Sequence, residues 1–134
     1  MKYDDLRIGQ SYEMQRVFTN QEITDFAKLS YDTNPLHTDP EFAKITQFGQ
    51  LIVPGFLTAS LFSAIIGTKF PGCGSIYLNQ SMTLRKPVFP GQKVIAVVRA
   101  KTLFPEKHHV LLETCVYDAE GQVLIEGDAL VKLP

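Results

Sequence analysis

Residues 55–67, GFLTASLFSAIIG, contain no charged side chain. Leu57, Leu61, Phe62, Ile65 and Ile66 recur at helical spacing, and the residues between them are mostly small. A helix with no polar stripe has no face to turn towards water, so it is expected to be enclosed. The stretch is interrupted by Thr58, Ser60 and Ser63 and preceded by Pro54. It is too short and too broken to cross a bilayer, which takes about 20 apolar residues. The remainder of the 134-residue chain must therefore wrap one helix, and a single domain over 1–134 is enough to do so.

The second half supplies the wrapping. Ile76, Leu78, Met82 and Leu84 alternate along one face, with Gln80 among them. Val94, Ala96, Val98 and Ala100 do the same, as do Val110, Leu112, Thr114 and Val116, and then Val123, Ile125, Gly127, Ala129 and Val131. A period of two with one apolar face predicts half-buried antiparallel strands. FPGQ, FPEKHH and DAEGQ are the turns between them. Gln80 would face the apolar side and needs a buried partner.

The first half reads as helical. Thr19 and Glu22 have capping-box spacing, and Ile23, Phe26, Ala27 and Leu29 form an apolar stripe behind them. Pro35 ends that helix, because proline disfavours helical geometry at the preceding Asn34. Thr38 and Glu41 repeat the capping spacing, with Pro40 tolerated in the first turn of a second short helix. Helices followed by strands predict an α+β domain, a curved antiparallel sheet around a central apolar helix.

Composition narrows the function classes. Net charge is −1 and no basic run occurs, which argues against a broad nucleic-acid surface. The opening MKYDDLRIGQ has no apolar signal segment, so the expected location is cytoplasmic. Cys73 and Cys115 are far apart and form no Cys-x-x-Cys pair, and a reducing compartment keeps both as thiols. His108 and His109 stand in a turn without further ligands nearby, so no metal site is expected.

Between the two N-terminal helices lies YDTNPLHTDP, residues 31–40. Asp32 and His37 flank a stiff Asn34-Pro35 step. Aspartate is common after helices, and a histidine beside a helix start often only bonds a backbone carbonyl. It is their joint spacing that points to paired acid–base chemistry.

That segment, with FAKLSYDTNPLHTDP, IVPGFLTASLFS, PGCGSIYLNQS, KPVFPG and the closing ALVKLP, resembles the hot-dog fold of the MaoC-like dehydratases, and among them the R-specific enoyl-CoA hydratases of polyhydroxyalkanoate synthesis. The resemblance runs over nearly the entire chain. It implies hydration of trans-2-enoyl-CoA to R-3-hydroxyacyl-CoA by a homodimer, with coenzyme A as part of the substrate and no cofactor or metal. It implies Asp32 and His37 as the acid–base pair, the Gly55 N–H as donor to the thioester oxygen, and Ser63 as a hydroxyl near the aspartate. Pro54 departs from the histidine usual at this point in such hydratases and matches the Pro-Gly turn of fatty-acid dehydratases, which leaves the glycine N–H free.

The chemistry asks for these residue types. Water must lose a proton as it attacks C3, and C2 must gain one, so two positioned groups serve better than one. Imidazole does this near neutral pH. Negative charge grows on the thioester oxygen, and an N–H at a helix start is a suitable donor for it. Leu57, Phe62, Ile65, Ile66 and Leu130 are candidates to line an acyl pocket. Arg85 and Lys86 either meet coenzyme A phosphates or are solvated charges at a sheet edge.

Three rival readings share the fold. A dehydratase of acyl-carrier-protein thioesters would keep the site and change the carrier. A thioesterase would place a carboxylate on the central helix, and residues 55–67 hold none. A non-catalytic acyl-CoA-binding subunit would have no need of Asp32 and His37.

Overall fold

The computed structural model describes residues 1–134. Strand β1 (Ser11–Val17) is followed by helix α1 (Asn20–Ser30), two short helices, α2 (Pro35–Thr38) and α3 (Pro40–Lys44), and the central helix α4 (Gly55–Thr68). Strands β2 (Ile76–Leu84), β3 (Lys93–Phe104), β4 (His109–Asp118) and β5 (Val123–Lys132) complete the chain. All five strands form one antiparallel sheet in the order β1-β3-β4-β5-β2. The α+β hot-dog arrangement expected from the sequence is the one observed.

The alternating residues do the packing. Val94, Ala96, Val98 and Ala100 of β3, Val110, Leu112 and Val116 of β4, and Ile125, Ala129 and Val131 of β5 are buried in one cluster with Leu61, Phe62, Ile65 and Ile66 of α4. Alanines at three of the sheet positions leave room for the larger helix side chains between them. Phe62, Ile65 and Ile66 are thus packed core and do not border an open pocket in the chain. Leu130 falls between the inward-facing Ala129 and Val131, so strand alternation puts it on the opposite face of the sheet, away from α4. Its assignment to an acyl pocket beside the helix is corrected accordingly.

Gly127 lets β2 dock. It pairs with Met82 on one side and Thr114 on the other. A Cβ there would overlap the Ser81 carbonyl oxygen and come within 2.7 Å of Met82 Cα. Gln80 Nε2 crosses β5 at this level to donate to Thr114 Oγ1 at 2.9 Å, and Tyr77 Oη donates to Gln80 Oε1. Gln80 therefore has the buried partner its position demanded. Burial raises the Tyr77 phenol to about 12.

Several elements differ from the sequence reading. The first half is not purely helical, because SYEMQRV forms edge strand β1 against β3. Its side chains are exposed except at the half-buried Met14, so no apolar alternation announced it. The helix after Pro35 contains His37, whereas the sequence placed His37 before a helix; Asn34 Oδ1 caps it by accepting from Leu36 N. For α3 the cap is Asp39, which accepts from Glu41 N and Phe42 N, in place of the expected Thr38. With Pro40 locked at the first helical position, the residue just before it becomes the cap.

Helix α4 is not enclosed on all sides. Phe56 is 72% exposed, and Ser60, Ser63 and Gly67 continue the same stripe along an open face. Edge strand β2 likewise leaves Ile76, Leu78 and Leu84 exposed.

Candidate active site

The site is built where the α1–α2 turn meets the entry to α4. Helix α1 opens on the capping box, with Thr19 Oγ1 accepting from Glu22 N at 3.1 Å and Thr19 N donating to Glu22 Oε1 at 3.0 Å. It ends with Tyr31 in a left-handed conformation, at φ 63°. That reversal delivers Asp32, half-buried, into the turn. Asp32 N donates to Ser30 Oγ at 3.1 Å, and Oδ1 accepts a long bond from Asn34 N at 3.4 Å. The other carboxylate oxygen has no partner in the chain.

His37 is nearly buried, at 9% exposed, and Nδ1 lies 2.8 Å from the carbonyl oxygen of Ile52. A carbonyl only accepts, so Nδ1 carries a proton, and Nε2 is left as the ring atom available for proton exchange. No hydrogen bond joins His37 to Asp32. Each side chain thus keeps one atom free for proton exchange, and both belong to one short, doubly capped segment.

Ile52 couples this segment to α4. Its N–H donates to Leu36 O at 3.5 Å, and Val53 N donates to Val88 O at 2.7 Å. Pro54 is the N-cap of α4 and supplies no side-chain cap. Its carbonyl accepts from both Leu57 N and Thr58 N, at 3.0 and 3.1 Å, while the N–H groups of Gly55 and Phe56 make no hydrogen bond. A helix of 14 residues thus begins with two free donors at its positive dipole end. A Cβ on Gly55 would lie 2.6 Å from Leu84 Cδ1, the end of a half-exposed side chain that would have to move.

Gly55 opens on a cavity of about 430 Å³, whose walls include Ile52, Thr58, Leu84, Arg85 and Lys86. At its rim Arg85 donates to Glu126 at 2.8 Å and Lys86 to Gln122 at 3.0 Å. The two cations are exposed, as solvated edge charges would be, yet they share this cavity with Gly55.

Ser63 lies on the exposed stripe of α4, and its hydroxyl makes no hydrogen bond, to Asp32 or to any other group. No three His, Cys, Asp or Glu side chains converge anywhere in the chain. Cys73 is exposed and Cys115 buried, both as free thiols. Sequence reasoning missed the Ile52 carbonyl, since a backbone acceptor leaves no mark in residue type.

The chain is similar to known proteins. Residues 5–114 match the family described as MaoC like domain. The chain belongs to that family. It is 43% identical over 134 residues to the (R)-specific enoyl-CoA hydratase of Aeromonas caviae, covering 100% of both chains. The enzyme of that name from Rhodospirillum rubrum is 41% identical over 132 residues, with 98% of this chain and 91% of the relative covered. The solved structure of the A. caviae (R)-hydratase involved in PHA biosynthesis superposes with a TM-score of 0.94 at 44% identity, covering 97% of this chain and 98% of the other.

Proposed function

We propose that this MaoC-like protein is an R-specific enoyl-CoA hydratase that adds water across trans-2-enoyl-CoA to give R-3-hydroxyacyl-CoA, reversibly. The observation that carries the reading is the locked His37. Its Nδ1–H is held by the Ile52 carbonyl three residues before the unpaired Gly55 N–H, and Asp32 shares its turn. Full-length identity to enzymes of that name supports the reaction and its stereochemistry.

In this mechanism water sits between the free carboxylate oxygen of Asp32 and Nε2 of His37. The pair takes one proton from water as its oxygen bonds to C3, and returns one proton to C2. It therefore ends each turnover in the protonation state in which it began. As the C2–C3 double bond is lost, charge moves onto the thioester oxygen, where the Gly55 N–H and the α4 dipole stabilise it. Arg85 and Lys86 at the cavity rim suit the phosphates of a coenzyme A carrier. No cofactor enters any step, and the protein acts in the cytoplasm.

The working form is a homodimer. Strand β2 is a sheet edge of nine residues with no charge and no proline, so it lacks the usual guards against pairing. A second copy against β2 and the open stripe of α4 would cover Phe56 and Ser63 together. Light scattering of the purified protein measures its mass directly, against 15.0 kDa for one chain.

The deciding assay follows the enoyl-thioester absorbance of crotonyl-CoA. Loss of absorbance, R-3-hydroxybutyryl-CoA as product, and a fall of about 100-fold or more in Asp32→Asn are expected. Free thiol release in place of hydration would identify a thioesterase. An Asp32→Asn variant as active as the parent would remove Asp32 from the site.

A further inference from the structure

We propose that the Thr58 hydroxyl is a second donor to the thioester oxygen, beside the Gly55 N–H; this rests on the hydratase reading. Thr58 is 0% exposed, and its Oγ1 is a buried polar atom with no hydrogen-bond partner. Four other hydroxyls on the helices bond back to the preceding turn, Thr24 to Asn20 O, Ser30 to Phe26 O, Ser60 to Leu57 O and Thr68 to Ala64 O, while the unbonded Ser63 is open to water. Thr58 does not bond back. The carbonyl four residues back, that of Pro54, already accepts from two backbone N–H groups.

An unpaired buried hydroxyl costs about 1–3 kcal/mol, and a methyl group of the same size would avoid the cost. The position of the hydroxyl gives it a use. Thr58 and Gly55 stand three residues apart on α4, and both line the cavity described above. Side chains on a helix lean towards its N-terminus, so Thr58 leans over the turn that begins at Gly55. Phe48, Val53 and Ile125 stand in the same wall, and none of its polar groups, Gln47 included, bonds the Thr58 hydroxyl. Leu84, half exposed at the end of β2, lies over the same turn and is free to swing aside for the substrate.

Thr58 Oγ1 has no open surface in this state, so the wall must part before a carbonyl oxygen can meet both the N–H and the O–H. The hydroxyl keeps its proton throughout. Its hydrogen bond strengthens as charge grows on the oxygen, so it acts on the transition state more than on bound substrate.

The test compares Thr58→Val and Thr58→Ser with the wild-type chain, using crotonyl-CoA. For Thr58→Val the expected result is a fall of about 100-fold in kcat/KM, carried mainly by kcat, with a melting temperature at or above wild type. Thr58→Ser restores the hydroxyl and most of the rate. Wild-type kcat/KM in Thr58→Val overturns the proposal, and so does a rate loss that Thr58→Ser shares in full. If the wild-type chain itself hydrates no enoyl-CoA, the hydratase reading fails first. If it does and Thr58→Val does equally, only the role of Thr58 fails.

Discussion

His37 has two separable duties, and two substitutions take them apart. Nδ1–H braces the α1–α2 turn against the Ile52 carbonyl at 2.8 Å, while in the proposed mechanism Nε2 exchanges the proton. Asparagine places its amide nitrogen about where Nδ1 stands and has nothing basic at the Nε2 position. His37→Asn should therefore keep the brace and lose the proton carrier. The retained hydrogen bond is worth about 0.5–1.5 kcal/mol net, so stability should stay within about 1 kcal/mol of wild type. A general acid–base contributes about 100-fold to 10,000-fold, and kcat on crotonyl-CoA should fall by that order. His37→Ala loses both duties. It leaves a carbonyl unpaired beside a side chain that is only 9% exposed, and about 1–3 kcal/mol of stability should go with the activity. Urea unfolding followed by tyrosine fluorescence gives the stability, and the enoyl absorbance gives the rate. The reasoning is refuted if His37→Asn remains fully active, for then the ring is only a brace. It is also refuted if His37→Asn is as unstable as His37→Ala, for then the Nδ1 contact is not what holds the turn.

Two further outcomes follow from the fold. Gly127→Ala would drive a methyl group into the Ser81 carbonyl and force β2 off β5, so a loss of more than about 2 kcal/mol is expected in the same urea titration, with early amide exchange along Ile76–Leu84. Glu22 accepts from the Thr19 N–H and pairs with Arg16, which holds its carboxyl below 4.5. Its stabilising effect is complete above the unfolded value of 4.5 and is lost as pH falls through the lower folded value. An NMR titration of the Glu22 carboxyl should move back up on Arg16→Ala.

Much of the local frame around the candidate site was readable from residue type because caps and prolines act locally. The Thr19–Glu22 box marked the start of α1 and Pro35 bounded its end, which located Asp32 in the turn after α1, while His37 fell inside α2 and not before it. What could not be read was set by backbone atoms and by distant partners. The brace on His37 comes from the carbonyl of a residue fifteen positions away, and any residue could supply it. The single-turn helix α2 is too short to show a period. β1 carries too little buried apolar surface to alternate, and its place follows from pairing with β3 across the chain. Thr58 is the reverse case: it looks like an ordinary small residue on an apolar helix until its hydroxyl is found without a partner.

The open stripe of α4 shows where hydrophobic patterning itself runs out. A charge-free helix says that its surface is to be covered, and it does not say by what. Within the chain the sheet covers one side, through Leu61, Phe62, Ile65 and Ile66. The other side carries Phe56 and Ser63, still without a charge, and the neighbouring β2 edge is charge-free as well. Charges on either surface would have been the simplest way to keep them in water, and neither has them. The two surfaces are continuous with the site, since Phe56 directly follows Gly55 and Leu84 ends β2 over the same turn. A second chain that covered them would also dry the surroundings of the Gly55 donor. Assembly and oxyanion stabilisation would then depend on the same stretch of helix, and a Phe56→Lys variant that failed to pair should lose hydration along with its partner.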